Sequence, residues 1–113
     1  MTAQSKTSNE LKGLLALATE HARRSSRTPW VSMTIRDTKI SIQIRRTYTN
    51  QVRVLVASKN GQPTNAQIDF IIKALGLRPF QTDTLPLYGT NAAILLVSEH
   101  YDARDLDPRP SPV

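Results

Sequence analysis

Apolar residues near the start of the chain recur every three or four positions, which is the spacing of one face of a helix. The S/T-x-x-E pattern from Thr7 to Glu10 is typical of a helix N-terminus, because its side chains satisfy free backbone N–H groups. We therefore expect a first helix from Ser8 to Arg24, after a disordered segment of residues 1–7. The residues that share its apolar face are Leu11, Leu14, Leu15, Ala18 and Ala22.

Two later segments, Trp30–Arg36 and Lys39–Arg45, alternate between apolar and polar residues. This period of two is typical of β-strands with one buried face. With a two-residue turn at Asp37 and Thr38, every apolar residue falls on one face of a hairpin. The predicted apolar pairs are Ile35 with Ile40, Met33 with Ile42, and Val31 with Ile44.

A third strand is predicted after a turn centred on Tyr48, so that three strands form an antiparallel meander. The predicted register places Gln51 beside Arg45. It also places Arg53 beside Gln43. The apolar residues of this strand fall on the same face as those of the hairpin, with Val52, Val54 and Val56 opposite Ile44, Ile42 and Ile40.

The second half of the chain predicts one helix and one further strand. A T-x-x-Q pattern at Thr64 begins the helix, which ends at Leu75 before a glycine, Gly76, suited to a left-handed cap. Ala92–Val97 is a continuous apolar run, like Val54–Ala57, and such runs are typical of strands covered on both faces. A strand, a helix and a strand in this order predict a crossover between parallel strands.

These elements predict a single two-layer α+β domain over residues 8–101, with the order α-β-β-β-α-β. Its sheet is an antiparallel meander plus a fourth strand parallel to the third, in the spatial order 1-2-3-4. Residues 77–91 are expected to form a long connection that is either functional or contains a short element. It either folds over the sheet or contacts a protein partner or a second copy of the chain. Residues 102–113 contain alternate prolines and are expected to be a flexible tail.

Charge is distributed unevenly along the chain, although the net charge of the whole is +6. Residues 1–60 carry eleven basic and three acidic residues, whereas residues 61–113 carry four and six. A basic region attracts phosphates and releases their counterions, so this asymmetry favours DNA or RNA as the partner. A solvated basic surface that binds nothing is the alternative.

Composition excludes several classes of site. The chain has no cysteine, which excludes disulfides and thiolate metal sites, and we expect no cofactor. No segment approaches the roughly 20 apolar residues of a membrane span, so we expect a cytoplasmic protein that does not enter a membrane.

The polar face of the meander is the predicted binding surface, because arginines offer phosphate contacts and an indole offers a stacking surface. The second helix, however, is free to lie over Leu55 and Ala57, where it would shield part of this face. A second basic group lies at the end of the first helix. It is interpreted either as an extension of this surface or as cations that interact favourably with the negative end of the helix dipole. That group is Arg23, Arg24 and Arg27. The predicted nucleic-acid-binding residues are Arg45, Arg53, Arg36, Lys39, Arg46 and Trp30.

Catalytic and metal-binding patterns are weak. The two histidines, His21 and His100, accompany no serine elbow. The acidic residues around His100 are interpreted as a solvated tail rather than a metal site. These residues are Glu99, Asp102, Asp105 and Asp107.

The predicted element order resembles the core order of the PD-(D/E)xK nucleases. Lys59 stands at the lysine position, but Ala57 replaces the acidic residue that would hold a metal. The resemblance therefore implies at most a non-catalytic relative. Our prediction is a non-enzymatic nucleic-acid-binding protein. The alternatives are a small protein-interaction module, such as a regulator or inhibitor, and a degenerate nuclease-like domain.

Overall fold

The computed structural model describes residues 3–24, 28–35, 39–47, 51–59, 61–87 and 91–99. Its five strands form one sheet in the order β1-β2-β3-β5-β4, and all neighbouring strands are antiparallel. The α+β class and the order α-β-β-β-α-β are confirmed, with one additional strand before the last. The elements are α1 (Ala3–Arg24), β1 (Val31–Thr34), β2 (Ile40–Arg46), β3 (Gln51–Ser58), α2 (Asn65–Leu75), β4 (Arg78–Pro86) and β5 (Ala92–Glu99).

Both helices pack on the same face of the sheet, where the core lies. Alternate residues of β2, β3 and β5 point into this core, as the period of two requires. Neither helix of the described chain is long and apolar enough to cross a bilayer. We term the other sheet face the open face, because neither α1 nor α2 packs on it. Its residues on the central strands are Ser41, Gln43, Arg45, Gln51, Arg53, Leu55, Ala57, Ala93, Leu95, Val97 and Glu99.

Helix α1 begins at Ala3, five residues before its predicted start. Residues 3–7 are therefore helical, and the predictions that they are disordered and that Thr7 caps the helix are wrong. Alanine, glutamine and lysine in this segment favour a helix, and extending a helix costs much less than nucleating one. The predicted apolar face is confirmed from Leu11 to Ala18, where it packs in the core.

The β1–β2 hairpin has the predicted register, whereas the register of β2 with β3 is shifted by two residues. Val54, rather than Val52, lies opposite Ile44. The N–H of Thr47 donates to the carbonyl of Gln51 at 2.9 Å, and four residues, 47–50, lie between the two strands. No glycine marks the position of this connection in the sequence. The even shift keeps every side chain on its predicted face but changes the partner across the sheet.

The segment predicted as a long connection over residues 77–91 contains β4. Strand β5 lies between β3 and β4 and is antiparallel to both, so the predicted parallel pairing with β3 and the spatial order 1-2-3-4 are wrong. The strand that runs parallel to β3 is β4, which is not its neighbour. Pro79 and Pro86 obscured β4 in the sequence, but an edge strand tolerates proline because one of its sides carries no ladder.

The predicted ends of α2 are confirmed. The hydroxyl of Thr64 accepts from the backbone N–H of Gln67, and the Gln67 side chain accepts from Thr64 in return, at 3.2 and 2.8 Å. Gly76 adopts the left-handed conformation, with φ 66°, that terminates the helix. Because α2 packs with α1 on the core face, it does not lie over Leu55 and Ala57.

Candidate nucleic-acid interface

Two arginines lie directly opposite each other where β2 ends and β3 begins. Arg45 and Arg53 are cross-strand partners, and the alternation of each strand directs both side chains to the open face. Opposed like charges destabilise an antiparallel strand pair. Among the described residues, neither guanidinium makes an ion pair. Glu99 is the described acidic residue of the same face that lies nearest along β5, diagonally across from Arg53, and an anion between the two arginine side chains would relieve their repulsion.

Arg45 is held in place by the segment that precedes β1. Its Nε donates a hydrogen bond of 2.9 Å to the hydroxyl of Thr28, which is buried. No hydrogen bond joins the two terminal nitrogens of this guanidinium to another described residue. A guanidinium that is already oriented loses less conformational entropy when it binds an anion.

Trp30 lies at the same end of the open face as the arginine pair. Trp30 directly precedes β1, whose terminal register pair is Val31 with Ile44, the neighbour of Arg45 on β2. Its side chain is 40% exposed, so a large part of the indole is accessible. The structure thus brings together three of the predicted residues, Trp30, Arg45 and Arg53.

A second pair of cations lies at the opposite end of the same two strands. The backbone N–H of Lys59 donates to the carbonyl of Lys39 at 3.1 Å, and both residues are exposed. Lys59 was not among the predicted binding residues, and the predicted register placed Ala57 across from Lys39. Six residues separate Lys39 from Arg45, which is about 20 Å along a strand.

Arg46 does not belong to the open face. Its side chain is 1% exposed beneath α1, and its Nη1 donates to the hydroxyl of Thr19 at 3.0 Å. That hydroxyl donates in turn to the carbonyl of Leu15 at 2.9 Å. The prediction that Arg46 stands at the rim of the basic surface is wrong, because β2 continues through this residue. Adjacent residues of a strand point to opposite faces, so Arg45 and Arg46 are separated by the sheet.

The second predicted basic group lies in the helix layer. Arg24 and Arg23 both lie within ion-pair distance of Glu20, at 3.2 and 4.0 Å, near the end of α1. They are exposed, but α1 packs on the core face, so these arginines do not extend the open face. Arg27 and Arg36 lie outside the described residues.

The half of the open face formed by β3 and β5 is apolar beyond the arginine pair. Leu55 and Leu95 are cross-strand partners and are half-buried. Ala57 lies opposite Ala93, and Val97 lies opposite Arg53. Four cations of the open face therefore lie on or next to β2 and β3, whereas Arg78, Asp83 and Glu99 of the same face lie on β4 and β5.

The described residues contain no group of three or more metal-ligating side chains that could hold a metal ion. The end of β3, where the nuclease-like pattern requires a carboxylate, carries Ala57. His100 and the acidic residues that follow it lie outside the described residues. Comparisons with protein-family models, with curated proteins and with solved structures found no match to this chain.

Proposed function

We propose that this protein binds nucleic acid through the open face of its sheet, chiefly by contacts to the phosphate backbone. The observation that supports this proposal best is the opposition of Arg45 and Arg53, which have no anionic partner among the described residues. Guanidinium groups bind phosphate oxygens with paired, charge-assisted hydrogen bonds. A phosphate held between the two arginines would satisfy these donors and remove the repulsion between them.

The other cations of the face fit the same proposal. Lys39 and Lys59 provide positive charge about 20 Å from Arg45, so that a strand of nucleic acid crossing the face meets cations at both ends. Trp30 provides a stacking surface beside Arg45. Phosphate contacts carry no sequence information, so we expect weak sequence preference. The proposal describes binding without catalysis, in the cytoplasm.

Affinity measured across a salt series tests the proposal. Neutralising phosphates releases counterions, and four cations should give a slope of log affinity against log salt of about −3 to −4. Fluorescence anisotropy with labelled single-stranded and double-stranded DNA and RNA measures this slope for each form. An affinity that does not change with salt, or no binding at low salt, would show that the proposal is wrong.

A matched pair of double variants assigns the binding to the open face. Changing Arg45 and Arg53 to Gln should reduce the slope by about two and lower the affinity, because two phosphate contacts are lost. Changing Lys12 and Lys73 to Gln alters the net charge equally, but these exposed lysines lie on the two helices. The second variant should keep most of the affinity. Equal losses in both variants would show that binding depends on net charge alone.

A second candidate function, protein interaction, is favoured by strand β4. It forms one edge of the sheet and carries Phe80 and Leu85, which are 57% and 38% exposed, with Leu87 just beyond it at 46%. Such an edge accepts an extended peptide as a further strand. A stoichiometric partner recovered after nuclease treatment should be lost with Phe80→Asp and kept when Arg45 and Arg53 are Gln. Recovery that is insensitive to Phe80→Asp would exclude this edge as the binding site.

A further inference from the structure

Strand β4 is an edge of the sheet, and no described strand pairs with its outer side. The N–H of Leu87 donates to the carbonyl of Asn91 at 3.0 Å, so the backbone groups of Leu87 face β5. Alternate residues of an antiparallel strand face the same neighbour, so the odd-numbered residues from 81 to 87 face β5. The N–H and carbonyl groups of Thr82 and Thr84 therefore point outwards, away from the sheet.

The outer side of β4 is exposed, and its ends are defined by two prolines. Thr82 and Thr84 are exposed although they lie on the face that carries the helices, and Phe80 is 57% exposed. Neither Pro79 nor Pro86 has a backbone N–H to donate, so a further strand can pair only with the segment between them. The segment that can accept a neighbour is therefore short and has fixed limits.

This segment is complementary to a second copy of itself in one antiparallel register. With a two-fold axis at Thr82, the outward groups of Thr82 bond those of the second Thr82, and Thr84 lies opposite Phe80 of the second copy. The same register places Gln81 opposite Asp83 on both sides of the axis. The Gln81 amide already donates to Asp83 of its own chain at 2.6 Å. An amide has two N–H groups and a carboxylate has two oxygens, so a second bond can form between the copies.

The neighbouring two-fold registers are less favourable. An axis at Asp83 opposes two carboxylates, and like charges directly opposite each other destabilise a strand pair. An axis at Thr84 places Thr82 opposite Pro86, which has no N–H to donate. An axis at Gln81 removes the amide from its position opposite Asp83. The sequence of β4 therefore favours the axis at Thr82.

We infer that the chain forms a dimer in which β4 pairs with β4 of a second copy about a two-fold axis at Thr82. Two five-stranded sheets then become one sheet of ten strands. Each copy uses the same edge, so the assembly closes at two chains. The inference goes beyond the proposed function and does not depend on it.

The dimer places both open faces on the same side of the joined sheet, because the two-fold axis is perpendicular to the sheet. Arg53, Val97 and Gln81 lie in one row across the strands, and Gln81 is next to the axis residue. Five strand spacings, or about 24 Å, separate β3 from β3 of the second copy. The dimer therefore presents two arginine pairs on one surface.

Sedimentation velocity over a concentration series tests the dimer without nucleic acid. We expect a dissociation constant of about 10–100 μM, because one strand edge buries little surface. Thr82→Pro removes the N–H at the axis and should abolish the dimer, whereas Thr82→Ala keeps this N–H and should retain it. The N–H does not bond to β5, so Thr82→Pro should stay folded, which circular dichroism checks. A wild-type chain that is monomeric up to about 1 mM, or a dimer that survives Thr82→Pro, would overturn the inference.

Charge variants at Gln81 test the register and do not rely on loss of structure. Gln81→Lys places a cation opposite Asp83 on both sides of the axis and should tighten the dimer ~5-fold, whereas Gln81→Asp should weaken it by a similar factor. Gln43→Lys is the matched control, because Gln43 is exposed on β2, away from β4, and should leave the dimer unchanged. A dimer that responds equally to Gln81→Lys and Gln81→Asp would contradict the pairing of β4 in this register.

Discussion

The two faces of the sheet use neighbouring arginines in opposite ways. Arg46 lies beneath α1 and donates to Thr19, so that it connects a helix to the sheet. Arg45 points the other way, with Nε held by Thr28 and no hydrogen bond from its terminal nitrogens to another described residue. The two residues have the same chemistry and adjacent positions. Their difference shows that strand alternation, rather than charge, decides which arginine is buried beneath α1 and which lies on the open face.

The largest expected contrast between the faces is that of Ile44 and Gln43, which are neighbours on β2. Ile44→Ala should lower the free energy of unfolding by about 2–5 kcal/mol, because it removes buried methyl groups and leaves a cavity. Gln43→Ala on the open face should change it by no more than about 0.5 kcal/mol. Urea denaturation measures both values. Comparable losses would mean that the open face is also covered.

Arg46 and Arg45, which lie on opposite faces, should give the next largest contrast in stability. Arg46→Ala should lower the free energy of unfolding by about 2–3 kcal/mol, because a buried side chain and its hydrogen bond to Thr19 are lost. Arg45→Ala should lower it by less than about 1 kcal/mol, since the lost bond to Thr28 is partly offset by relief of repulsion from Arg53. Thermal or urea unfolding of the two variants, with nucleic-acid affinity measured in parallel, separates structural from binding roles. The assignment is wrong if Arg45→Ala is the more destabilising change.

Loss of the helix cap of α2 should lower stability without changing nucleic-acid binding at the open face. Thr64→Ala removes one hydroxyl of the capping box at the start of α2 and should lower the free energy of unfolding by about 1 kcal/mol. The affinity of the folded fraction for nucleic acid should not change, because α2 lies on the other side of the sheet. A loss of affinity larger than the unfolded fraction explains would link α2 to the binding surface.

The smallest expected change in stability has the opposite sign. Arg53→Glu replaces an opposed pair of like charges with an opposed pair of unlike charges, and should raise the free energy of unfolding by about 0.2–1 kcal/mol. The same variant should lose most of its affinity for nucleic acid, since one phosphate contact becomes a repulsion. Anisotropy and urea denaturation on one preparation check both effects. A variant that is destabilised would show that the two side chains do not face each other.

The parts of the fold that were predicted correctly are encoded locally. The β1–β2 register follows from a long alternation that leaves one consistent arrangement of isoleucines. The ends of α2 are fixed by a capping box and a left-handed glycine. Strand β4 and the β2–β3 register were missed because their signals are weak. Prolines interrupt the pattern of β4, and no glycine in the sequence marks the connection between β2 and β3.

The sequence predicted only those features of the candidate site that depend on local patterns. The direction of Arg45 and Arg53 towards one face follows from alternation alone, which an even register shift preserves. Their direct opposition and the pairing of Lys39 with Lys59 depend on the register, and so could not be obtained from local patterns. The burial of Arg46 depends on where β2 ends.

The position of β5 in the centre of the sheet has a consequence for synthesis of the chain. This strand pairs with β3 on one side and β4 on the other, although it is the last strand in the described sequence. While the chain emerges from the ribosome, β3 has only β2 as a neighbour, and β4 has none in this sheet. Both strands expose unpaired backbone until residues 92–99 have emerged, and such edges promote aggregation. Nascent chains that stall before residue 92 should therefore depend on chaperones more than those released after residue 99.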